Sequence, residues 1–228
     1  MKRAAIVVAL FMSGLALLIT YAAHPRFTDL GPASKISVVL VSGDMGFHTG
    51  LSPAVAERIA ANGLHVTGVN SLSFAWRSQS PLKISGLLEE AIARSLRLGH
   101  ASKVVLIGQS YGADLVHIGS TLLPDGIRRK ISAIILVVPT SDIYYRIGPS
   151  EYFGWGTPDA QAIDTARQID WVPLTCIYGR EENDSICPLL HAPNVRRVPL
   201  PGDHYLQHDP DLLFKALWPD IQSVEPGR

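Results

Sequence analysis

The sequence has little charge and no excess of either sign. Charged residues make up 18% of 228 positions, and 20 Lys and Arg stand against 20 Asp and Glu. With no basic surplus to neutralise a phosphate backbone, direct nucleic-acid binding is not expected. Internal repeats and low-complexity tracts are also missing, which excludes repeat architectures. Cysteine is scarce, with only Cys176 and Cys187 present. An even pair close in sequence fits one disulfide in an oxidising compartment. The alternative is a buried strand thiol and a separate loop thiol. What the chain does have is apolar residues, 47% of the total. That excludes a disordered chain and suits one domain with a substantial core.

Part of the apolar excess lies at the front. Lys2 and Arg3 precede an uncharged run from Ala4 to Ala23, and Thr20, Ala22 and Ala23 offer small residues for cleavage. Residues 1–23 read as a secretory signal, which predicts export from the cytoplasm to the periplasm. The rival is an uncleaved inner-membrane anchor, because the run approaches the roughly 20 residues that span a bilayer. An end in small residues rather than a basic stop favours cleavage.

Residues 24–35 read as a Pro- and Gly-containing leader to a domain over 36–228. There, short apolar runs alternate with segments of helical periodicity. "ISVVLVS", "LHVTGVN", "KVVLIG", "ISAIILVVP", "VPLTCIYG" and "VRRVPLPG" predict six strands. "SPAVAERIAANG" predicts a helix with Ser52 as N-cap and Pro53 at its first position. The alternation predicts an α/β fold, a mostly parallel six-stranded sheet flanked by helices. Residues 140–171 break the rhythm with Tyr144, Tyr145, Tyr152, Phe153 and Trp155. They read as a short cap over the strand ends or as a loop with its own small core.

The chemistry centres on Gly108-Gln109-Ser110-Tyr111-Gly112, a G-x-S-x-G motif. The five residues alone are a weak signal. Their context, an apolar strand before and a helix after, is the one that lifts a nucleophilic Ser above a sheet. A capping Ser would not need Gly on both sides. Ser110 then requires a base and an orienting acid, in the chain order Ser, acid, His. After the fifth strand, Asp184 is the candidate acid and Glu182 its rival. A solvated acidic loop is the alternative for both. After the sixth strand, His204 is the candidate base, with His208 further into the loop. The candidate oxyanion donors are the backbone N–H of Tyr111 and that of Asp44 or Met45, in the loop after the first strand. Asp44 and Asp203 in flanking loops read as solvent-facing turn residues, with attraction of a cationic group as the functional alternative. Trp76 and Arg77 follow the second strand, and Arg77 is a candidate for a surface salt bridge or for a lipid phosphate. This chemistry needs no metal or organic cofactor.

Five stretches, "VVLVSGDMGF", "GVNSLSFAWRSQSP", "VVLIGQSYGADL", "CIYGREENDSICP" and "LPGDHY", run in order from Val38 to Tyr205. In these the chain resembles the VirJ-type bacterial virulence proteins, which also form the C-terminal domain of AcvB proteins. The resemblance implies an α/β-hydrolase fold, a periplasmic location and a role around type IV secretion. For the AcvB branch it implies hydrolysis of lysyl-phosphatidylglycerol, with the membrane surface close by. By motif match, Ser110 carries over as nucleophile, Asp184 as acid and His204 as base. Met45 and Phe47 depart from the family's usual Gly-Asp-Gly-Gly-Trp loop. Asp203, Tyr205 and Leu206 depart from its usual Gly-Gly-His-His-Phe turn. Three functions stay open: an exported serine esterase, a non-enzymatic periplasmic adaptor for secretion components or translocated substrates, and a general esterase or thioesterase.

Overall fold

The computed structural model describes residues 25–75, 79–146 and 156–224. The six expected strands are present: β2 (Ile36–Val41), β3 (His65–Val69), β4 (Lys103–Gln109), β5 (Ile131–Val137), β8 (Leu174–Gly179) and β9 (Val195–Leu200). All six run parallel. A seventh strand, β1 (Phe27–Leu30), pairs antiparallel with β3, giving the order β1-β3-β2-β4-β5-β8-β9. The expected leader therefore contains an edge strand. Its Asp29 accepts from the Thr67 hydroxyl at 2.8 Å and from Arg94 Nε at 2.9 Å, which fixes it on the sheet.

Alternation along the buried strands divides the core between the two faces. Val39, Val41, Leu106 and Leu136 belong to one cluster, packed with α3 (Pro81–Leu98) and α4 (Tyr111–Ser120). Val38, Leu40, Val105 and Ile135 belong to the other, packed with α1 (Leu51–Ala61) and α7 (Pro210–Ser223). The short helix α2 (Leu72–Ala75) follows β3, and α5 (Asp125–Arg128) precedes β5. Asp209 caps α7, accepting from the N–H of Asp211 and Leu212 at 2.9 and 3.0 Å. Ser52 does not cap α1 as expected. That helix begins two residues earlier, at Leu51 with Gly50 as its N-cap, and the Ser52 hydroxyl donates to Gln109 Oε1 at 2.5 Å.

Between β5 and β8 lie a two-stranded ribbon, β6 (Asp142–Ile143) with β7 (Ala160–Gln161), and the helix α6 (Ala162–Ala166). Cys176 of β8 and Cys187 form a disulfide. Residues 1–23 lie outside the described residues, so the signal reading has no structural counterpart here. Among the described residues, no helix is long and apolar enough to cross a membrane.

Candidate active site

Strand β4 ends where helix α4 begins, and Ser110 is the corner between them. Its φ of 53° and ψ of −126° are unusual for a residue with a side chain. Holding a residue there costs about 1–3 kcal/mol. Packing enforces the corner. A Cβ on Gly108 would sit 2.4 Å from the Gly112 carbonyl oxygen, and one on Gly112 would sit 2.3 Å from that of Val41. Only bare α-carbons let helix and sheet approach so closely.

The corner aims Ser110 Oγ at His204 Nε2, 2.9 Å away. His204 Nδ1 lies 2.5 Å from Glu182 Oε1. The carboxylate acceptor assigns the hydrogen to Nδ1, which leaves Nε2 to accept from the serine. Glu182 orients the imidazole, and Asp184 does not. This corrects the expected acid, and the turn after β8 explains it. The Glu182 N–H donates to the Gly179 carbonyl at 3.1 Å, which folds the Glu182 side chain inward until it is 1% exposed. The Arg180 and Glu181 N–H groups bond the Leu200 and Gly202 carbonyls at 2.9 and 3.0 Å. The acid turn and the histidine turn are thus laced together. Asp184 stays exposed and lines the adjacent cavity.

Burial lowers the His204 pKa, but the bond to Glu182 and its charge, then Asp184 and Asp114, outweigh that and raise it above the ordinary histidine value.

The residues expected to supply the oxyanion donors, Tyr111, Asp44 and Met45, line the spaces that open on Ser110. Tyr111 opens α4, so its N–H has no acceptor within the helix. A Cβ on Gly43 would lie 3.9 Å from Ser110 Oγ, so the loop carrying Asp44 and Met45 runs next to the nucleophile. Ser71 Oγ donates to the Gly43 carbonyl, and the Gly46 N–H reaches the same oxygen at 3.0 Å, which holds the loop.

A cavity of about 520 Å³ opens on Ser110. Four carboxylates line it, those of Asp44, Asp114, Asp142 and Asp184, and no Lys or Arg among the described residues does. A smaller groove of about 100 Å³ also reaches Ser110 and His204, past Met45 and His208. Tyr205 borders both spaces. Asp203 lines neither, because its carboxylate turns back to accept the Tyr205 N–H at 2.9 Å. His208 stacks on Tyr205, with ring centroids 5.2 Å apart. Trp76 and Arg77 lie outside the described residues. Asp114 had no place in the expected site. It is 4% exposed, and an Asp is rarely so buried unless paired; its Oδ2 accepts from the Thr140 hydroxyl at 3.0 Å and its Oδ1 faces His117 Nε2 at 3.4 Å.

The model of the family described as "Bacterial virulence protein (VirJ)" matches residues 35–225. The chain belongs to the VirJ family. Solved structures extend the fold assignment. The VirJ chain is similar to Est1E from Butyrivibrio proteoclasticus, a structure with ferulic acid bound. The identity is 14% with a TM-score of 0.62, over 86% of this chain and 94% of that one. It is also similar to the lipase BlEst2 of Bacillus licheniformis, at 12% identity and a TM-score of 0.61, over 86% and 98% of the two chains. A third relative in fold is alpha/beta hydrolase domain-containing protein 10 from mouse, at 14% identity and a TM-score of 0.57, over 87% and 94%. The fold is that of the α/β hydrolases. A search of curated protein sequences found no match.

Proposed function

We propose that this VirJ chain is an exported serine hydrolase that cleaves the aminoacyl ester of lysyl-phosphatidylglycerol, and that it supports type IV secretion in the periplasm. The observation that carries the reading is the continuous line from Ser110 through His204 to Glu182, opening on a cavity walled by carboxylates. A lysyl ester with a protonated α-amine brings two positive charges to that wall. The disulfide agrees with an oxidising compartment.

In the mechanism, His204 Nε2 takes the Ser110 proton as Oγ attacks the ester carbonyl carbon. The oxyanion rests on the Tyr111 N–H and on an N–H of the Asp44–Met45 loop. His204 returns the proton to the departing lipid alkoxide. Water, activated by the same imidazole, then frees the amino acid from the acyl-enzyme. Glu182 keeps Nδ1 protonated and stabilises the imidazolium that forms at each step.

The test is a fluorophosphonate probe on the purified protein, with and without lysyl-phosphatidylglycerol as competitor. Labelling of wild type but not of Ser110→Ala, suppressed by the lipid, is expected. No labelling of Ser110 refutes the hydrolase, and labelling that the lipid leaves unchanged refutes the substrate. Full restoration of secretion by Ser110→Ala would point instead to an adaptor.

A further inference from the structure

The two spaces beside Ser110 differ in which part of the machinery lines them. Ser110 and Tyr111 line the large cavity, and His204 does not. Ser110 and His204 line the smaller groove, and Tyr111 does not. The chemistry gives that difference a meaning. After Oγ attacks, the tetrahedral carbon carries Oγ, the oxyanion, the acyl remainder and the alcohol oxygen. The alcohol oxygen must come within hydrogen-bond reach of His204 Nε2, because that imidazole returns the proton to it. The alcohol half therefore leaves through the space that His204 lines, and the acyl remainder takes the other.

The groove suits a narrow guest. Its volume of about 100 Å³ equals roughly three waters at about 30 Å³ each. The 520 Å³ of the cavity falls instead within the roughly 300–1,000 Å³ of ordinary ligand pockets. Met45, 64% exposed, and the buried Leu51 give the groove apolar sides. Ser52 and Gln109 also line it. The Ser52 hydroxyl donates to Gln109 Oε1, so the carboxamide has its Nε2 hydrogens left to offer a guest.

The wall between the two spaces is held under strain. Tyr205 borders both, and Leu206, Gln207 and His208 follow it at φ of 49°, 57° and 53°. Left-handed residues with side chains cost about 1–3 kcal/mol each and persist only where their surroundings enforce them. Here the buried Leu206 anchors the turn, and the His208 N–H donates to the Tyr205 carbonyl at 2.8 Å. The His208 ring then stacks on Tyr205 and braces it. Strain of this kind fits a wall whose position matters to function.

We propose that the groove is the alcohol subsite and admits narrow primary alcohols. Met45 sets its width, Gln109 donates to a second hydroxyl of the alcohol, and Tyr205 divides it from the acyl half. The proposal rests on the reading of Ser110 as an esterase nucleophile and is independent of which acid is esterified.

The test returns an alcohol to the acyl-enzyme. Purified protein receives p-nitrophenyl acetate with 1-propanol, 1,3-propanediol or neopentyl alcohol. The alcohol gives its proton to His204 Nε2 as its oxygen bonds the acetyl carbon. The bond from that carbon to Ser110 Oγ breaks, and Oγ regains the proton. All three alcohols share one acyl-enzyme, so the ratio of new ester to acetate reads the groove alone. Wild type should favour 1-propanol over neopentyl alcohol by roughly 10-fold or more. It should favour the diol over 1-propanol by roughly 2- to 10-fold per hydroxyl. Met45→Ala should raise transfer to neopentyl alcohol several-fold relative to 1-propanol, and intrinsic reactivity cancels between variants. Gln109→Leu should bring the diol preference near unity. Met45 is exposed, so Met45→Ala keeps the test open where Gln109→Leu fails to fold. Tyr144→Ala, which alters only the large cavity, should shift the kcat/KM ratio of p-nitrophenyl acetate to hexanoate and leave the alcohol ratios alone. Alcohol ratios that follow Tyr144 and ignore Met45, no discrimination in wild type, or an intact diol preference in folded Gln109→Leu each overturn the proposal. If Ser110→Ala releases p-nitrophenol as fast as wild type, the hydrolase reading fails instead.

Discussion

Glu182→Gln and Asp184→Asn decide which carboxylate serves His204. Glu182 bonds the imidazole at 2.5 Å with its own side chain 1% exposed and the His204 side chain 29% exposed. At an effective dielectric constant of about 20, unit charges about 4 Å apart interact by about 4 kcal/mol. At about 1.36 kcal/mol per tenfold, losing that stabilisation of the imidazolium lowers kcat roughly a thousandfold. Glu182→Gln keeps the volume, so the fold should survive and a thermal melt checks it. The pH profile carries a second signature. His204 works as a base only when neutral, so kcat/KM rises with pH through its pKa, which lies above the ordinary histidine value. Without Glu182 the largest raising influences disappear and burial prevails, so the acid limb of residual activity moves to lower pH. Asp184→Asn moves it the same way, but less, because Asp184 acts through charge alone. Its kcat should change far less. A thousandfold loss in Asp184→Asn beside a mild effect in Glu182→Gln would refute the assignment.

Two further perturbations test how the site is held. In Gly112→Ala the new methyl meets the Val41 and Ser42 carbonyl oxygens at 2.3 and 2.4 Å, so α4 must move off the sheet and take the Ser110 corner with it. We expect a loss of about 1–3 kcal/mol, or roughly 2–12 °C in Tm, together with loss of fluorophosphonate labelling. An unshifted melt with full labelling would contradict the close-approach argument. Removing both cysteines opens a loop with a sequence separation of 11 that contains Glu182 and Asp184. The chain-entropy relation gives about 3 kcal/mol, so Tm should fall by roughly 6–12 °C, and ester hydrolysis should fall with it. Equal melting of the double Cys→Ala variant and wild type would show that the bridge does not hold the acid loop.

The main sheet was legible because its signals are long and redundant. Each central strand is a β-branched apolar run buried on both faces, and no other element reads that way. The Ser corner was legible for a related reason, since Gly108 and Gly112 are fixed by backbone contacts that tolerate no side chain. The edge strand β1 was not legible. Its four residues, Phe-Thr-Asp-Leu, have no apolar periodicity and are held by pairing to β3 and by Arg94, partners distant in sequence.

The acid failed for a local reason. Glu182 and Asp184 stand two positions apart in one turn, and chain order permits either. What separates them is the Glu182 N–H to Gly179 bond, together with the extra methylene that lets Glu182 reach inward while Asp184 faces the cavity. Turn geometry leaves no periodic trace in a sequence. Asp114 is the opposite case, because its signal was there to read. "YGADLVHIGS" is apolar enough to be buried on every side, and all ten residues of α4 are. An Asp and a His three positions apart on such a helix cannot both be solvated. They must satisfy each other or something that enters from outside. Oδ1 of Asp114 faces Nε2 of His117 at 3.4 Å, so one proton between them serves both groups, while Thr140 and Thr165 complete the outer atoms of the pair. The buried pair behind the nucleophile therefore ties α4 to Thr140 through Asp114 and to α6 through His117, and it holds the Ser110 corner from its far side.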